Sequence, residues 1–371
     1  MALDFAPDTT IDACTLEGRS QAVDAIVYCS NWSPDLELAN SSITAHGAIN
    51  GVYLNGAAGA QVLGNHVQGE FAPFASAVQL WAGDDYAVVQ GNTFGTASGS
   101  GPDTGVAITD SYAATVSGNV FHIGNANGQA RDCGILVAEQ GHNAVLGPGN
   151  QLIGTVATGD TYGIYLSGTS LGPDNVVVTH NEIDGRSLVN RGLMAVNLGA
   201  NLAVDGNDFG GCITHALQLG AEGTMRVTNN LVHDNAGTGI LLPASAGSDQ
   251  PQLLFNTIVC NALGISGDGR IWYNIVWSNT SSGSFNTSHG EIHCNDVQGR
   301  ASLGLPADNA DIDPRFVAAA CGGSGDYHLR SDSPLIDFAC SPGVSPPARP
   351  ANDVDGDPRP QGAGYDVGMD E

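Results

Sequence analysis

Gly51-Val52-Tyr53-Leu54-Asn55-Gly56-Ala57-Ala58-Gly59-Ala60-Gln61-Val62-Leu63-Gly64-Asn65-His66-Val67 holds one complete unit of a pattern that runs from Asn50 to Gly299. The unit opens on a small residue followed by apolar, variable, apolar (Gly51 to Leu54). It passes through a short run (Ala60 to Leu63) and closes on Asn, variable, apolar (Asn65 to Val67). The closing phrase returns at Asn92, Asn119, Asn150, Asn181, Asn207, Asn230, Asn256, Asn274 and Asn295, with gaps of 27, 27, 31, 31, 26, 23, 26, 18 and 21 residues. The opening phrase returns at Ala77, Gly105, Gly134, Gly163, Ala195, Ala216, Gly239 and Ala262. Apolar residues alternating at period two describe a strand with one buried face. Each unit therefore reads strand, turn, strand, Asn turn, strand, loop. A drifting period of this size belongs to a solenoid whose loops vary in length.

Stacked units of this kind make an all-β parallel solenoid of about ten coils, each adding about 4.8 Å along the axis. The Asn residues would then form a ladder inside one turn, each amide donating to and accepting from its copies above and below. Asp at the same place would stack like charges. A β-sandwich with Asn-rich turns is the alternative, and it has no reason to repeat both phrases in step. The two phrases resemble the repeat of the right-handed parallel β-helix superfamily that includes pectate lyases, polygalacturonases and phage tailspikes. The resemblance covers about two thirds of the chain. It implies the fold and leaves the reaction open, because the same coil carries many activities.

The chain has 371 residues, of which 13% are charged, and a net charge of −27; all eleven cationic side chains are arginine. A surface this acidic repels nucleic acid and anionic lipid. It disfavours polyuronates unless a divalent cation bridges the carboxylates. No apolar run is long enough to span a bilayer. Eight cysteines without a Cys-x-x-Cys pair read as disulfides in an oxidising compartment, and proximity favours Cys14–Cys29 and Cys321–Cys340. Met1 to Phe5 lack the basic and apolar regions of a signal peptide, so a trimmed leader is expected.

Three segments follow from these patterns: residues 1–49 as N-terminal cap and leading coil, 50–299 as the solenoid, and 300–371 as a C-terminal module rich in Pro, Asp and Gly. The last contains Asp313-Pro314-Arg315-Phe316, Ser333-Pro334-Leu335-Ile336-Asp337, Asp353-Val354-Asp355-Gly356-Asp357-Pro358-Arg359-Pro360 and Tyr365-Asp366-Val367-Gly368-Met369-Asp370-Glu371. In that order these motifs resemble the tail of exported bacterial β-helix proteins called choice-of-anchor Q. The resemblance implies a secreted or cell-surface bacterial protein.

Asp353, Asp355 and Asp357 have the one-three-five spacing of a calcium loop, but Pro358 and Gly364 stand where that loop needs Gly and Glu. Ca²⁺ is the one cofactor the sequence admits, and none is required. The competing reading is an Asp-rich turn bonded to its own backbone. Gly83-Asp84-Asp85 resembles the Asp pair of polygalacturonases, in the wrong register. Lyase chemistry needs a base and a charge neutraliser. Without lysine, the candidates are Arg131, Asp132, Glu139 and His142 in coil four, with Asp110 and His122 one coil earlier. Period two also assigns an outward ladder on the first strands: Tyr53, Gln79, Ala107, Leu136, Tyr165, Asn197, Gln218 and Leu241. It bears no acid, Arg or His, and its Tyr, Gln and Asn suit neutral sugars. The expectation is an extracellular, non-catalytic protein that binds carbohydrate or serves as a surface rod. The alternative is a polysaccharide lyase or glycoside hydrolase acting near coils three to five. Nothing in the sequence sets an oligomeric state.

Overall fold

The computed structural model describes the chain except at residues 1, 5–6, 19–24, 31–32, 125–130, 157–158, 169–171, 221–222, 244–249, 281–284, 287–289, 324, 339, 341–344 and 371. The chain winds into a parallel β-helix. Second strands, such as Val88–Gln90, Thr115–Ser117 and Val176–Thr179, form a 12-stranded parallel sheet. First and third strands join in one 22-stranded sheet because Ser42–Asn55 and His66–Trp81 run through both without a break. Helix is confined, among the described residues, to Arg300–Leu303, and no helix is long and apolar enough to cross a membrane. The leading segment is itself coil: Thr10–Asp12 pairs with Glu37–Ala39, and Thr15–Gly18 with Ser42–Asn55.

The interior is a single apolar column. Val52, Leu54, Val78, Leu80, Val106, Ile108, Ile135, Val137, Ile164 and Leu166 are fully buried from the first strands. Phe94, Phe121 and Phe209 fill it from the third strands, with the rings of Phe94 and Phe121 5.0 Å apart. The Asn ladder closes one corner. Oδ1 of Asn92 accepts from both the backbone N–H (2.8 Å) and Nδ2 (3.0 Å) of Asn65, while Nδ2 of Asn92 donates to the Val62 carbonyl (2.8 Å). The same pattern continues to Asn295, which donates to Asn309 at 2.9 Å. A second ladder, at the turn after the third strand, links Cys212, Asn235, Asn261 and Asn279.

The residue before each ladder Asn has a left-handed backbone. Gly64, Gly91, Gly118 and Gly149 serve early, whereas Asn229, Phe255, Tyr273 and Cys294 serve late, with φ of 55°, 57°, 59° and 58°. A bulky side chain at positive φ is strained; His180 holds this place before Asn181 at a φ of 49°, its ring bonded to Thr179, whereas each of the late four meets the C-terminal segment. Asn229 Nδ2 donates to the Asn352 carbonyl. The Arg359 guanidinium lies 4.4 Å over Phe255, and Arg349 sits between the rings of Tyr273 (4.9 Å) and Tyr365 (4.1 Å).

Cys294 bonds to Cys340, and Cys260 to Cys321. These two disulfides replace the expected Cys14–Cys29 and Cys321–Cys340 links, neither of which forms. Nearness in sequence misleads here because the tail folds back along the coils. Its antiparallel hairpin, Phe316–Ala318 with Asp326–Leu329, then packs Tyr327 against Val259, and Leu335 and Val367 pack against Ile275. These contacts fall on third strands, on the turn that leads into them and, at Cys260, on the turn just after one.

Candidate functional site

The face left clear by these tail contacts is that of the first strands. Strand register sets its outward column as Tyr28, Tyr53, Gln79, Ala107, Leu136, Tyr165, Met194, Gln218, Leu241 and Ser266. Asn197 is not in it. The repeat runs Gly192-Leu193-Met194-Ala195, three residues earlier than the sequence phrase, and Asn197 lies past the strand at a φ of 53°. Tyr28 and Tyr53 stack at 5.2 Å with planes 4° apart.

A denser cluster lies across Arg131–Ala138, Asp160–Ser167, Arg191–Val196 and His215–Leu219. Tyr162 stacks on Tyr165 at 4.9 Å. The Arg131 guanidinium lies 5.2 Å over the Tyr165 ring, and that of Arg191 5.4 Å over Tyr162. Arg191 Nε donates to Oε1 of Gln218 at 2.7 Å, while Nη1 lies 3.5 Å from Asp160 Oδ1. His215 follows Arg191 in register on the next coil. Burial, and then the Arg191 charge, lower its pKa, so the imidazole is neutral at pH 7. Nη1 of Arg191 and Nδ1 of His215 are buried and have no hydrogen-bond partner among the described residues. Burial, and then Asp160, push the Tyr162 phenol up, which keeps it a donor.

Tyr162, Arg191 and His215 escape a period-two reading because the count breaks at the small residue of the opening phrase. A Cβ on Gly163 would meet the Gly192 carbonyl oxygen at 2.5 Å and the core side chain of Ile183 at 3.4 Å, so this position faces inward. The residue before it is thereby turned outward, onto Tyr165. A signal was present in Tyr162-Gly163, Arg191-Gly192 and His215-Ala216, each an aromatic or basic side chain before a small residue.

The candidate acids and bases divide between the two ends of the strand. Arg131 begins an eight-residue strand that Glu139 follows, so about 23 Å separates the ends. Glu139 and Asp110 occupy left-handed turn positions, with φ of 49° and 53°. Asp110 Oδ1 accepts the Gln140 N–H at 3.3 Å, and His142 Nδ1 lies 2.6 Å from Asp174 Oδ1. Asp132 is buried beside Thr161. His122 lies on a third strand, its pKa lowered by burial and then by Arg186 and His66. The structure thus brings Arg131, Tyr165 and Gln218 into one cluster and leaves Asp110, Glu139 and His142 at the other rim.

Asp84 is buried, and its carboxylate accepts the Ala57 and Trp81 N–H groups at 2.6 and 2.7 Å. Burial pushes its pKa up to about 7 against these bonds. It holds a turn. In the tail, Asp353 Oδ1 accepts the N–H groups of Asp355 (3.0 Å) and Asp357 (2.8 Å), the local turn that the sequence reading set against calcium. Asp355 points elsewhere, toward His328 and Asp370.

No curated protein matches the sequence. Among solved structures, the chain is similar to pectate lyase Pel9A at 12% identity, covering 98% of this chain and 88% of that one with a TM-score of 0.49. It is similar to the periplasmic alginate epimerase AlgG at 13% identity, 76% and 73% coverage and a TM-score of 0.39. A third is the catalytic domain of a GH87 alpha-1,3-glucanase, at 12% identity, 83% and 55% coverage and a TM-score of 0.31. Residues 104–297, more than half of the chain, match the family described as the right handed beta helix region, and with both ladders in place across that span the chain belongs to this family.

Proposed function

We propose that the protein binds a polysaccharide along the first-strand face, with its main contacts on Arg131, Tyr165, Arg191 and Gln218 and the buried Tyr162 packed behind them, and that it works outside the cytoplasm. The observation that carries this reading is the pair of stacked tyrosines flanked by two arginines on neighbouring coils. Flat aromatic faces suit sugar rings, and guanidinium groups suit hydroxyl or carboxylate oxygens. Arg191 Nη1, which has the 3.5 Å ion pair with Asp160 but no hydrogen bond among the described residues, supports a ligand rich in acceptors. The two disulfides support an oxidising compartment.

A glycan array run with and without Ca²⁺ tests this. The expected result is a bound glycan whose affinity falls at least tenfold in Tyr165→Ala and in Arg191→Ala. Binding unchanged in both variants would overturn the reading.

A second reading, a lyase or hydrolase, is favoured by one observation: neutral His215 follows Arg191, so a base and a charge neutraliser occupy adjacent coils. Unsaturated product absorbing near about 235 nm on a polyuronate, lost in His215→Ala, would establish a lyase, and new reducing ends without that absorbance a hydrolase. The expected result with pectate and alginate is no depolymerisation, with or without Ca²⁺.

A further inference from the structure

The tail holds a cluster that the first-strand face does not involve. His328, on the hairpin strand Asp326–Leu329, meets Asp355 from the Asp-rich loop and Asp370 from the end of the chain. One ligand atom from each lies within 4.8 Å of the other two. Nε2 of His328 is 3.3 Å from Asp355 Oδ2, while Nδ1 is held by Asp326 Oδ1 at 2.6 Å. That same Asp326 oxygen accepts the His328 backbone N–H at 3.1 Å, which fixes the carboxylate as well.

We propose that His328, Asp355 and Asp370 form a binding site for a divalent transition-metal cation, zinc being the ion that fits best, and that the ion ties Asp370 and the Asp-rich loop to the tail hairpin. Three features carry this. Tetrahedral coordination at about 2.0–2.1 Å separates neighbouring donors by about 3.3 Å, the spacing found between Nε2 and Asp355. A carboxylate on Nδ1 leaves Nε2 to face the metal and orients the ring, the usual support of a metal-bound imidazole. The donor set of one imidazole and two carboxylates suits zinc, whereas calcium takes six to eight oxygens. Among the described residues the other two clusters of potential ligands, around Asp234 and Asp308, use cysteines already joined as Cys260–Cys321 and Cys294–Cys340, so they are closed to a metal.

The three ligands come from separated stretches: the hairpin strand, the Asp-rich loop and the segment around Asp370. A cation would cross-link them at a place where carboxylates otherwise crowd one another.

The test uses the full chain, stripped with a chelator and titrated with zinc chloride in a calorimeter. One equivalent should bind saturably. His328→Gln and Asp370→Asn should each weaken binding at least tenfold, whereas Asp357→Asn, outside the cluster, should leave it unchanged. Far-UV circular dichroism checks that each variant folds. If His328→Gln does not fold, Asp370→Asn, next to the last residue, decides the question alone. Absence of saturable binding, or wild-type affinity in either folded ligand variant, would overturn the proposal. So would a calcium site lost in Asp357→Asn and kept in His328→Gln.

Discussion

His233 shows how single side chains are set by their neighbours. Its ring sits between Asp208 Oδ1 and Asp234 Oδ2, each at 2.9 Å. Burial works to lower its pKa, and the two carboxylates outweigh it and raise the value to about 9. The folded value thus lies above the ordinary 6.5. The charged ring adds stability that is complete below about pH 6.5 and is lost as pH rises through about 9. Thermal unfolding should therefore show a wild-type advantage over His233→Gln at pH 6 that shrinks toward pH 10. An advantage independent of pH would mean that the ring acts by packing alone. The neighbouring link, from Gly322 N–H to Asp234 Oδ1 at 2.6 Å, makes this a contact between coil and tail.

At the scale of the element, the Asn ladder is the device that sets coil on coil. Asn119 Nδ2 donates to Asn150 Oδ1 (3.0 Å) and to the Val89 carbonyl (2.9 Å), and its own Oδ1 accepts from Asn92. Asn119→Leu leaves those buried groups unpaired and should cost about 1–3 kcal/mol in a denaturant titration. A cost below about 0.5 kcal/mol would mean that the corner is held by the apolar column instead. The ladder was plain in the sequence because one residue type recurs in one short phrase. The residue before it was equally visible but carried a message read only in three dimensions. In the late coils Gly gives way to Phe255, Tyr273 and Cys294 where the tail docks, so strain at positive φ there coincides with a docking contact.

Across the whole molecule, twelve second strands at about 4.8 Å make a rod of about 50–55 Å, and the tail lies along its late coils. The disulfides Cys260–Cys321 and Cys294–Cys340 close separations of 61 and 46 residues. Loops of that size contribute about 4 kcal/mol each by constraining the unfolded chain. Mass spectrometry without reductant should recover these two links, and reduction should lower the thermal midpoint. Recovery of Cys14–Cys29 or Cys321–Cys340 instead would contradict the tail's placement. Cys133 and Cys212 are buried thiols whose pKa is pushed up to about 12 by burial, so they should stay unreactive in the folded protein.

The sequence by itself determined the solenoid, its inward column and the Asn corner. These follow from local alternation and from one repeated residue, and every coil states them again. It also supplied Arg131, Tyr165 and Gln218 as separate candidates. Only the tertiary structure decided that these three share a cluster with Tyr162, Arg191 and His215. The inward glycine of the opening phrase turns the preceding residue outward, and a repeat that slips by three residues at Met194 removes Asn197 from the face. It likewise decided the disulfide pairing and the meeting of His328 with Asp355 and Asp370. Those contacts join residues that are far apart along the chain, and no local period records how a tail folds back upon a rod.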